Sequence, residues 1–310
     1  MSDLPGIPLP VGEPKRRNAA AILFVRLWKE KPLGVASGVI VLLLIVVAIF
    51  GDQLAPHPYF EMHLIDRLQG SSAQYLLGTD QMGRDLLSRL IAGARISVVV
   101  GLAATTLNVV AAILVGGVSG FVGGKYDIAV QRFVDAWMSI PTLLILLTVM
   151  SIVGRGFFQI IAVLGISGGI GGSRVVRSAV IGVKENVYFQ AAEAIGSSRW
   201  RTLIRHVLPN IVAPIIIIFS INVGGVIMAE ASLSFLGYGL SVDIPSWGGM
   251  LSREGRQYME QAPWMALWPG LCLTIAVYSF NMLGDALRDL LDPRLRGGGG
   301  RLGVDAATSV

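Results

Sequence analysis

The sequence predicts an all-α membrane protein that crosses the bilayer six times. Hydrophobic residues make up 53% of the chain and charged residues only 15%, whereas ordinary soluble domains contain roughly 25% charged residues. The apolar residues are gathered in six long stretches that carry almost no charge. A helix rises about 1.5 Å per residue, so stretches of this kind approach the length of a hydrocarbon core of about 30 Å. Lysine and arginine are also distributed unevenly between the intervening segments, as in multi-pass proteins.

The six predicted transmembrane helices correspond to these stretches in chain order. They occupy residues 33–50, 96–122, 136–153, 157–172, 211–228 and 264–284. The first stretch has too long an apolar core for a cleaved signal peptide, and no small-x-small site follows it before Gln53. We therefore expect residues 33–50 to remain in the protein as its first membrane helix.

The positive charges predict the orientation. With the N-terminus in the cytoplasm, 18 of the 25 lysines and arginines lie inside and 7 lie outside, in agreement with the positive-inside rule. A basic segment, 1–32, and a C-terminal tail, 286–310, are then cytoplasmic, residues 51–95 form an external loop, and 96–285 contain five membrane helices. This asymmetry explains the net charge of +5. No nucleic acid partner is expected, and the basic N-terminal residues are expected to contact anionic lipid headgroups.

Glycines are concentrated within the predicted spans. Gly116, Gly120 and Gly124 are four residues apart, and a second cluster occupies residues 165–172. Small residues at this spacing let two membrane helices approach closely. A broken helix lining a substrate path is the alternative, but tight packing or a bend is favoured for the second cluster. The tryptophan-rich loop at 237–263 is expected to lie at the interface and to fold back toward the membrane.

Polar side chains within the spans are candidates for a translocation path. They are Asn108, Asn222, Glu230 and Asn281, together with Asp285 near a span end. A charged or amide group in lipid is often functional. Such a group also commonly bonds a neighbouring helix, which makes a structural role the favoured one. Whether these polar side chains line a translocation path stays open.

A polar segment at residues 188–210 separates the fourth and fifth predicted spans. Its first part predicts a short helix with one apolar face formed by Tyr188, Ala191, Ala192 and Ile195, before a helix stop at Gly196. Its second part repeats the pattern with Trp200, Leu203, Ile204, Val207 and Leu208, and Pro209 is expected to end that helix. Two amphipathic helices that meet at a glycine predict either a docking surface surrounded by arginines or a loop on anionic lipid.

The chain shows no nucleotide-binding or catalytic pattern of its own. The phosphate-binding loop pattern fails around Lys125, because Ser119 and Tyr126 stand where glycine and Ser or Thr are needed. The three histidines are predicted on both sides of the membrane, so they cannot share one metal ion. No metal centre, catalytic site or cofactor is expected in this chain.

The 188–210 segment resembles the cytoplasmic EAA loop of permease subunits from binding-protein-dependent ABC importers, whose pattern is E-A-A-x3-G-x9-I-x-L-P. The matching residues are Ala191, Ala192, Gly196, Leu208 and Pro209. Gln190 replaces the leading glutamate and His206 takes the place of isoleucine, so the shape is kept while one charge is lost. Blocks at 77–101, 123–147, 229–251 and 280–296 also resemble dipeptide and oligopeptide permeases, typified by the C-type subunit. The resemblance covers about residues 20–296.

The resemblance implies a type I ABC importer permease fold with six transmembrane helices in a bacterial inner membrane, with both termini cytoplasmic. It implies a non-catalytic subunit that pairs with a homologous permease and with two cytoplasmic ATPases, which bind ATP and Mg. An external binding protein would deliver the substrate, for which a di- or oligopeptide is the best single assignment. The residues that would dock the ATPases, in a coupling loop at 188–210, are Gln190, Ala191, Ala192, Glu193, Gly196, Arg199, Leu208 and Pro209.

Other interpretations stay open at this point. A stand-alone secondary transporter or channel would move substrate without ATP, although such proteins often contain two related halves and no internal repeat is found here. A membrane-embedded enzyme would need a convergent catalytic set. Members of the resembled subfamily also carry glutathione, nickel chelates or oligosaccharides, and these are the alternative substrates.

Replacing Gln190 by glutamate is expected to preserve complex assembly and ATP-coupled uptake, because the change restores the residue of the family pattern. Copurification of the ATPases with the Gln190→Glu variant, and uptake at the wild-type rate, are the measurements. Loss of assembly would show instead that the partner surface has adapted to glutamine.

Overall fold

The computed structural model describes residues 27–187, 189, 196–241 and 243–291, with the backbone alone at 199–200 and 253–254. The predictions for Gln190, Ala191, Ala192 and Glu193 lie outside the described residues. The same holds for residues 1–26 of the N-terminal segment and 292–310 of the C-terminal tail.

The described chain is built from helices joined by short connections, except for the long segment between α1 and α2. The helices are α1 (Pro32–Leu54), α2 (Leu86–Val122), α3 (Gly124–Met138), α4 (Thr142–Val153), α5 (Phe157–Lys184), α6 (Arg199–Thr202), α7 (Leu208–Asn210), α8 (Val212–Phe235), α9 (Trp247–Leu251), α10 (Arg253–Gln257) and α11 (Trp264–Leu291). A π turn at Ile113–Gly117 lies within α2, and another at Leu203–Val207 joins α6 to α7.

Five helices, α1, α2, α5, α8 and α11, are long and apolar enough to cross a membrane, and the bent pair α3 and α4 would make a sixth span. The prediction of one helix over residues 136–153 is wrong. The chain bends by 89° between Met138 and Thr142. Pro141 causes this bend, because proline cannot donate a helical hydrogen bond and disfavours helical geometry at the preceding residue.

The remaining predicted spans are correct in position but shorter than the helices. α2 begins at Leu86 instead of residue 96, because the Asp85 carboxylate caps it and accepts the N–H of Ser88 at 2.9 Å. The predicted loop at 51–95 therefore covers only 55–85. α5 continues beyond 172 to Lys184. Hydropathy marks only the uncharged part of a helix, whereas the helix itself continues where its charged side chains find partners within the protein.

The most extensive helix contact lies between α2 and α5. A Cβ atom at Gly169 would overlap the Ala111 side chain and approach the Asn108 carbonyl oxygen at 2.6 Å, and a Cβ at Gly116 would overlap the carbonyl oxygen of Ser173. α5 is continuous through the whole 165–172 cluster. The prediction of tight packing at these glycines is therefore confirmed, and the alternative of a broken helix is not.

Small residues also bring α1 and α8 close to α11. Gly284 lies against the backbone of Ser220 in α8, and a Cβ at Gly34 of α1 would overlap Ala286. Buried apolar side chains of α1, α2, α8, α9 and α11 then form one continuous core. A second core joins α2, α4, α5 and α8, so the two helix groups share α2 and α8.

At the end of the bundle where α2 begins, α9 folds back among the long helices. The Trp247 side chain is 1% exposed, and its Nε1 donates to the carbonyl oxygen of Leu90 at 3.0 Å. Gly248 lies against the backbone of Ala231, too close to accept a side chain. The expectation that the 237–263 loop folds back is confirmed.

The turn before α2 is closed by a buried ion pair. The carboxylate of Asp80 accepts the backbone N–H groups of Met82 and Arg84 at 2.8 and 3.0 Å, and the Arg84 Nε at 2.5 Å. Trp264 covers this turn and donates its Nε1 hydrogen to the Thr79 carbonyl oxygen at 3.1 Å. These hydrogen bonds hold the charged groups of Asp80 and Arg84 inside the protein and away from lipid.

Gly169→Ala is expected to destabilise the bundle, although alanine favours helices over glycine by about 1 kcal/mol. The added methyl group would force α2 and α5 apart, at a cost of roughly 1–3 kcal/mol. Gly182→Ala on the same helix is the matched control, because no described atom lies within 4 Å of a Cβ there. Thermal unfolding in detergent should show a lower midpoint for Gly169→Ala alone; equal midpoints for both variants would contradict the packing argument.

Candidate functional site

The inner face of the 188–210 segment is packed against the ends of α2 and α5. Phe189 is 2% exposed and Val207 is fully buried. The Phe189 ring meets the Phe121 ring edge to face, with 6.5 Å between their centroids. The buried members of this contact, called the anchor cluster here, are Ala112, Val176, Val180, Val183, Phe189, Val207 and Ile211. Both parts of the segment are therefore fixed to the same two helices.

Lys184 ties the end of α5 to the end of α2. Its Nζ donates to the carbonyl oxygens of Gly120 and Phe121 at 3.2 and 2.8 Å. These carbonyls belong to the last turn of α2, where the backbone has no helical donors left and the helix dipole is negative. The ammonium group also lies 5.9 Å from the centroid of the Phe121 ring. These contacts join the end of α5 to the end of α2.

Gly196 has the backbone geometry that its predicted role requires. Its φ is 77°, in the left-handed region that other residues adopt only at a cost. No described atom lies within 4 Å of a Cβ placed there, so the constraint comes from the backbone alone. Three residues later the chain starts α6 at Arg199, and the carbonyl oxygen of the preceding Ser198 accepts the Thr202 N–H at 2.9 Å.

The second predicted helix of the segment forms, but it does not end at Pro209. α6 continues through the π turn into α7, which includes Pro209 and ends at Asn210. The wider π turn accommodates a proline here, because proline lacks the N–H that a regular helix would use. The chain then turns at Ile211, whose N–H bonds the carbonyl oxygen of Val207 at 3.2 Å.

The outer face of the segment carries Arg201, Ile204 and Arg205, all of them exposed. Ile204 is 46% exposed, although the periodicity predicted it on the buried face; the π turn rotates it outward. Leu208 instead packs partly buried against the anchor cluster, while Pro209 is exposed. The side chain of Arg199 lies outside the described residues. The described outer face therefore combines two cations with one apolar side chain.

Ion pairs join α3 to α5 beside the segment. Arg177 holds Asp127 with two hydrogen bonds, from Nε at 2.7 Å and from Nη2 at 2.5 Å. Arg174, about one helical turn before Arg177 in α5, bonds Asp135. Planar pairing of this kind fixes direction as well as distance. These ion pairs therefore hold α3 against α5 at the same end of the molecule as the anchor cluster.

Three of the four predicted path residues lie between packed helices. Asn108 is 4% exposed, and its amide lies against Gly168 in the contact of α2 with α5. Asn281 lies against Gly224 in the contact of α8 with α11. Glu230 is fully buried and accepts a hydrogen bond from the Ser234 hydroxyl at 2.7 Å. These positions support the structural role that was favoured for them.

Asn222 differs from the other three path residues, because it lines an open groove of about 640 Å³. The groove lies between α5, α8 and α11 and has apolar walls that include Ile217 and Ile221. Asn210 and Arg288 are its other polar residues. Of the four predicted residues, Asn222 thus has the surroundings that a path through the protein would need.

The sequence reasoning missed Lys184 and the pair of Asp127 with Arg177. Lys184 had a usable signal, because a lysine in the last turn of a helix commonly caps free carbonyl oxygens. Asp127 and Arg177 are far apart in sequence and lie in different helices, so their pairing had none. Trp247 belongs to the 237–263 loop that is expected at the membrane interface, but its side chain is buried among the helices.

Gly196→Val is expected to reduce ATP-coupled uptake roughly 5- to 30-fold, because a left-handed conformation costs a residue with a Cβ about 1–2 kcal/mol and β-branching adds to it. Gly196→Asn is the matched control, since asparagine tolerates this region. Uptake into proteoliposomes is the measurement. Equal rates for the two variants would show that the geometry at Gly196 does not matter to coupling.

Comparison with known proteins shows similarity to membrane permeases of transport systems. Residues 112–297 match the family model described as "Binding-protein-dependent transport system inner membrane component", and residues 22–70 match the N-terminal transmembrane domain of oligopeptide transport permease C. Among solved structures, a chain of the MetNI methionine ABC transporter in an inward-facing conformation aligns with a TM-score of 0.53. At 18% identity, over 66% of this chain and 96% of that one, this likeness concerns the fold.

Curated relatives are similar over most of their length. The chain is 36% identical to the dipeptide transport system permease protein DppC of Alkalihalophilus pseudofirmus, over 86% of this chain and 88% of the relative. It is 35% identical to the glutathione transport system permease protein GsiD of Pectobacterium atrosepticum, over 88% and 91%. The chain belongs to the family of binding-protein-dependent transport system inner membrane components, as a multi-pass permease subunit with an ABC importer fold.

Proposed function

We propose that this chain is the permease subunit of an ATP-driven importer for di- or oligopeptides. The observation that carries the proposal is the 188–210 segment, whose inner face is anchored to α2 and α5 while its outer face is exposed. Similarity to a dipeptide permease supports the peptide substrate. Glutathione, itself a short peptide, is the second candidate, because a glutathione permease is nearly as similar.

The outer face would dock a cytoplasmic ATPase. Arg201 and Arg205 offer donors to carboxylates, and Ile204 offers an apolar contact between them. Gln190, Ala191, Ala192, Glu193 and Arg199 would complete the surface, as in the EAA pattern. ATP binding closes the ATPase pair and displaces the segment. The anchor cluster and Lys184 would carry that displacement into α2 and α5, because a packed apolar core resists local deformation.

The complex would contain a homologous permease, two ATPases that bind ATP and Mg, and an external binding protein. In this arrangement the chain lies in the bacterial inner membrane with residues 1–32 and 286–310 in the cytoplasm. Residues 33–50 would cross the membrane first, and 96–285 would form the common transport domain. Asn222 and its groove would face the path between the two permeases.

The docking role can be tested by copurification from mild detergent. Ile204→Glu places a charge in the outer face and is expected to reduce the bound ATPases at least ~10-fold, since burying an unpaired charge is costly. Ile65→Glu is the matched control: Ile65 is 96% exposed in the segment between α1 and α2, at the opposite end of the bundle. Loss of the ATPases from both variants, or from neither, would contradict the proposed docking face.

The substrate is tested on the assembled complex by stimulation of ATPase activity through the binding protein. Di- and oligopeptides should stimulate hydrolysis, and glutathione should do so if the second candidate holds. Stimulation by nickel chelates or oligosaccharides alone would exclude both peptide candidates. Substrate movement by the purified single chain without ATP would favour a secondary transporter or channel and overturn the proposal.

A further inference from the structure

A second cavity, of about 540 Å³, lies at the end of the bundle opposite the 188–210 segment. Its walls come from the end of α8, the following loop, α9 and α10, with contributions from α2 and from the connection between α4 and α5. Its volume falls within the range of about 300–1,000 Å³ that is common for small-ligand sites. Several parts of the chain surround it, as in a pocket for a small ligand.

Three arginines line this cavity: Arg89, Arg155 and Arg256. Among the lining residues that the structure describes there is no aspartate or glutamate. Arg89 is 2% exposed, and its Nε lies 3.5 Å from the carboxylate of Asp80, which fixes it in the wall. Arg155 and Arg256 are exposed, so their guanidinium groups are available to a ligand that enters.

The two exposed arginines are positioned by their surroundings. The Arg256 guanidinium lies over the Phe235 ring, 5.6 Å from its centroid. A contact with one ring does not use all five N–H donors of the guanidinium group, so donors remain for hydrogen bonds to a ligand. The Arg155 Nη2 lies 4.0 Å from the position of a Cβ at Gly237, a glycine with φ of 86°. A Cβ at Gly237 would make only an ordinary van der Waals contact at this distance, so Arg155 lies beside the turn of the chain that follows α8.

Serine hydroxyls supply further polar groups in the same walls. Ser246 is 2% exposed and caps α9 by accepting the Gly249 N–H at 3.1 Å. Ser241 and Ser252 also line the cavity. The Ser252 hydroxyl already donates to the Gly249 carbonyl oxygen at 2.6 Å, so it can accept from an amide N–H of a ligand, whereas the Ser241 hydroxyl can donate to an oxyanion. Cations and hydroxyls around an enclosed space suit a ligand with one carboxylate and a short polar backbone.

We propose that this cavity binds the terminal carboxylate of the substrate peptide on the external side, before the peptide enters the path. Arg155 and Arg256 hold the carboxylate, because the guanidinium fork matches its two oxygens. This inference deepens the proposed function and rests on it for the peptide. The permease itself then recognises the C-terminal end of the peptide, in addition to any selection by the binding protein.

The test uses the assembled complex of both permeases and the ATPases in nanodiscs, without the binding protein. Equilibrium dialysis compares radiolabelled dialanine with its C-terminal amide. Wild type is expected to bind the carboxylate form at least ~10-fold more tightly, since charge-assisted hydrogen bonds exceed neutral ones in strength. The double variant Arg155→Gln, Arg256→Gln should lose this preference. Arg67→Gln should keep it, because Arg67 is exposed outside the cavity.

The outcomes separate this inference from the proposed function. Equal binding of acid and amide by wild type overturns the carboxylate site, even where the complex still imports peptides with its binding protein. An unchanged acid preference in the double variant overturns the assignment to these arginines. A carboxylate preference in a complex that imports no peptide would instead contradict the proposed function. Gel filtration and thermal unfolding verify that each variant is folded.

Discussion

The contact between α2 and α5 is the constraint on which the rest of the molecule depends. Membrane helices gain little from burying apolar surface against each other, so they associate through close packing of small residues. Here Gly116 and Gly169 let backbone meet backbone without an intervening side chain. That approach sets where both helices end, and only at that separation can Lys184 reach the last carbonyl groups of α2. The anchor cluster then fills the space beneath them.

Charge follows the same logic at both ends of the bundle. Asp127 with Arg177, and Asp80 with Arg84, lie in pairs with short hydrogen bonds, because an isolated charge near lipid would be costly. Between these ends the long helices carry almost no charge. Exposed arginines lie both on the outer face of the 188–210 segment and in the 540 Å³ cavity, the two regions where we propose that the protein recognises other molecules.

Much of this fold can be predicted from local sequence. The features that cannot be predicted in this way depend mostly on contacts between residues far apart in the chain. Residues 33–50 predict α1 because absence of charge is itself the signal for a span. The prediction of one helix over residues 136–153 is wrong, because the hydropathy of this stretch does not reveal the backbone preference imposed by Pro141. The left-handed turn at Gly196 was predictable, since glycine tolerates it. The covering of Glu230 by the α9 region was not, because residues far apart in the chain meet there. Nor did the periodicity reveal the π turn that exposes Ile204.

The π turn at Ile113–Gly117 has a consequence for the shape of α2. Asn108, Ala112, Gly116 and Gly120 all face α5, and each step between them is four residues. A four-residue step exceeds a 3.6-residue turn by about 40°, so this stripe would wind away from its partner along a regular helix. The wider turn absorbs part of that excess. The π turn thus contains one residue more than a regular helical turn. This extra residue keeps the stripe on α2 facing α5 up to the end of α2.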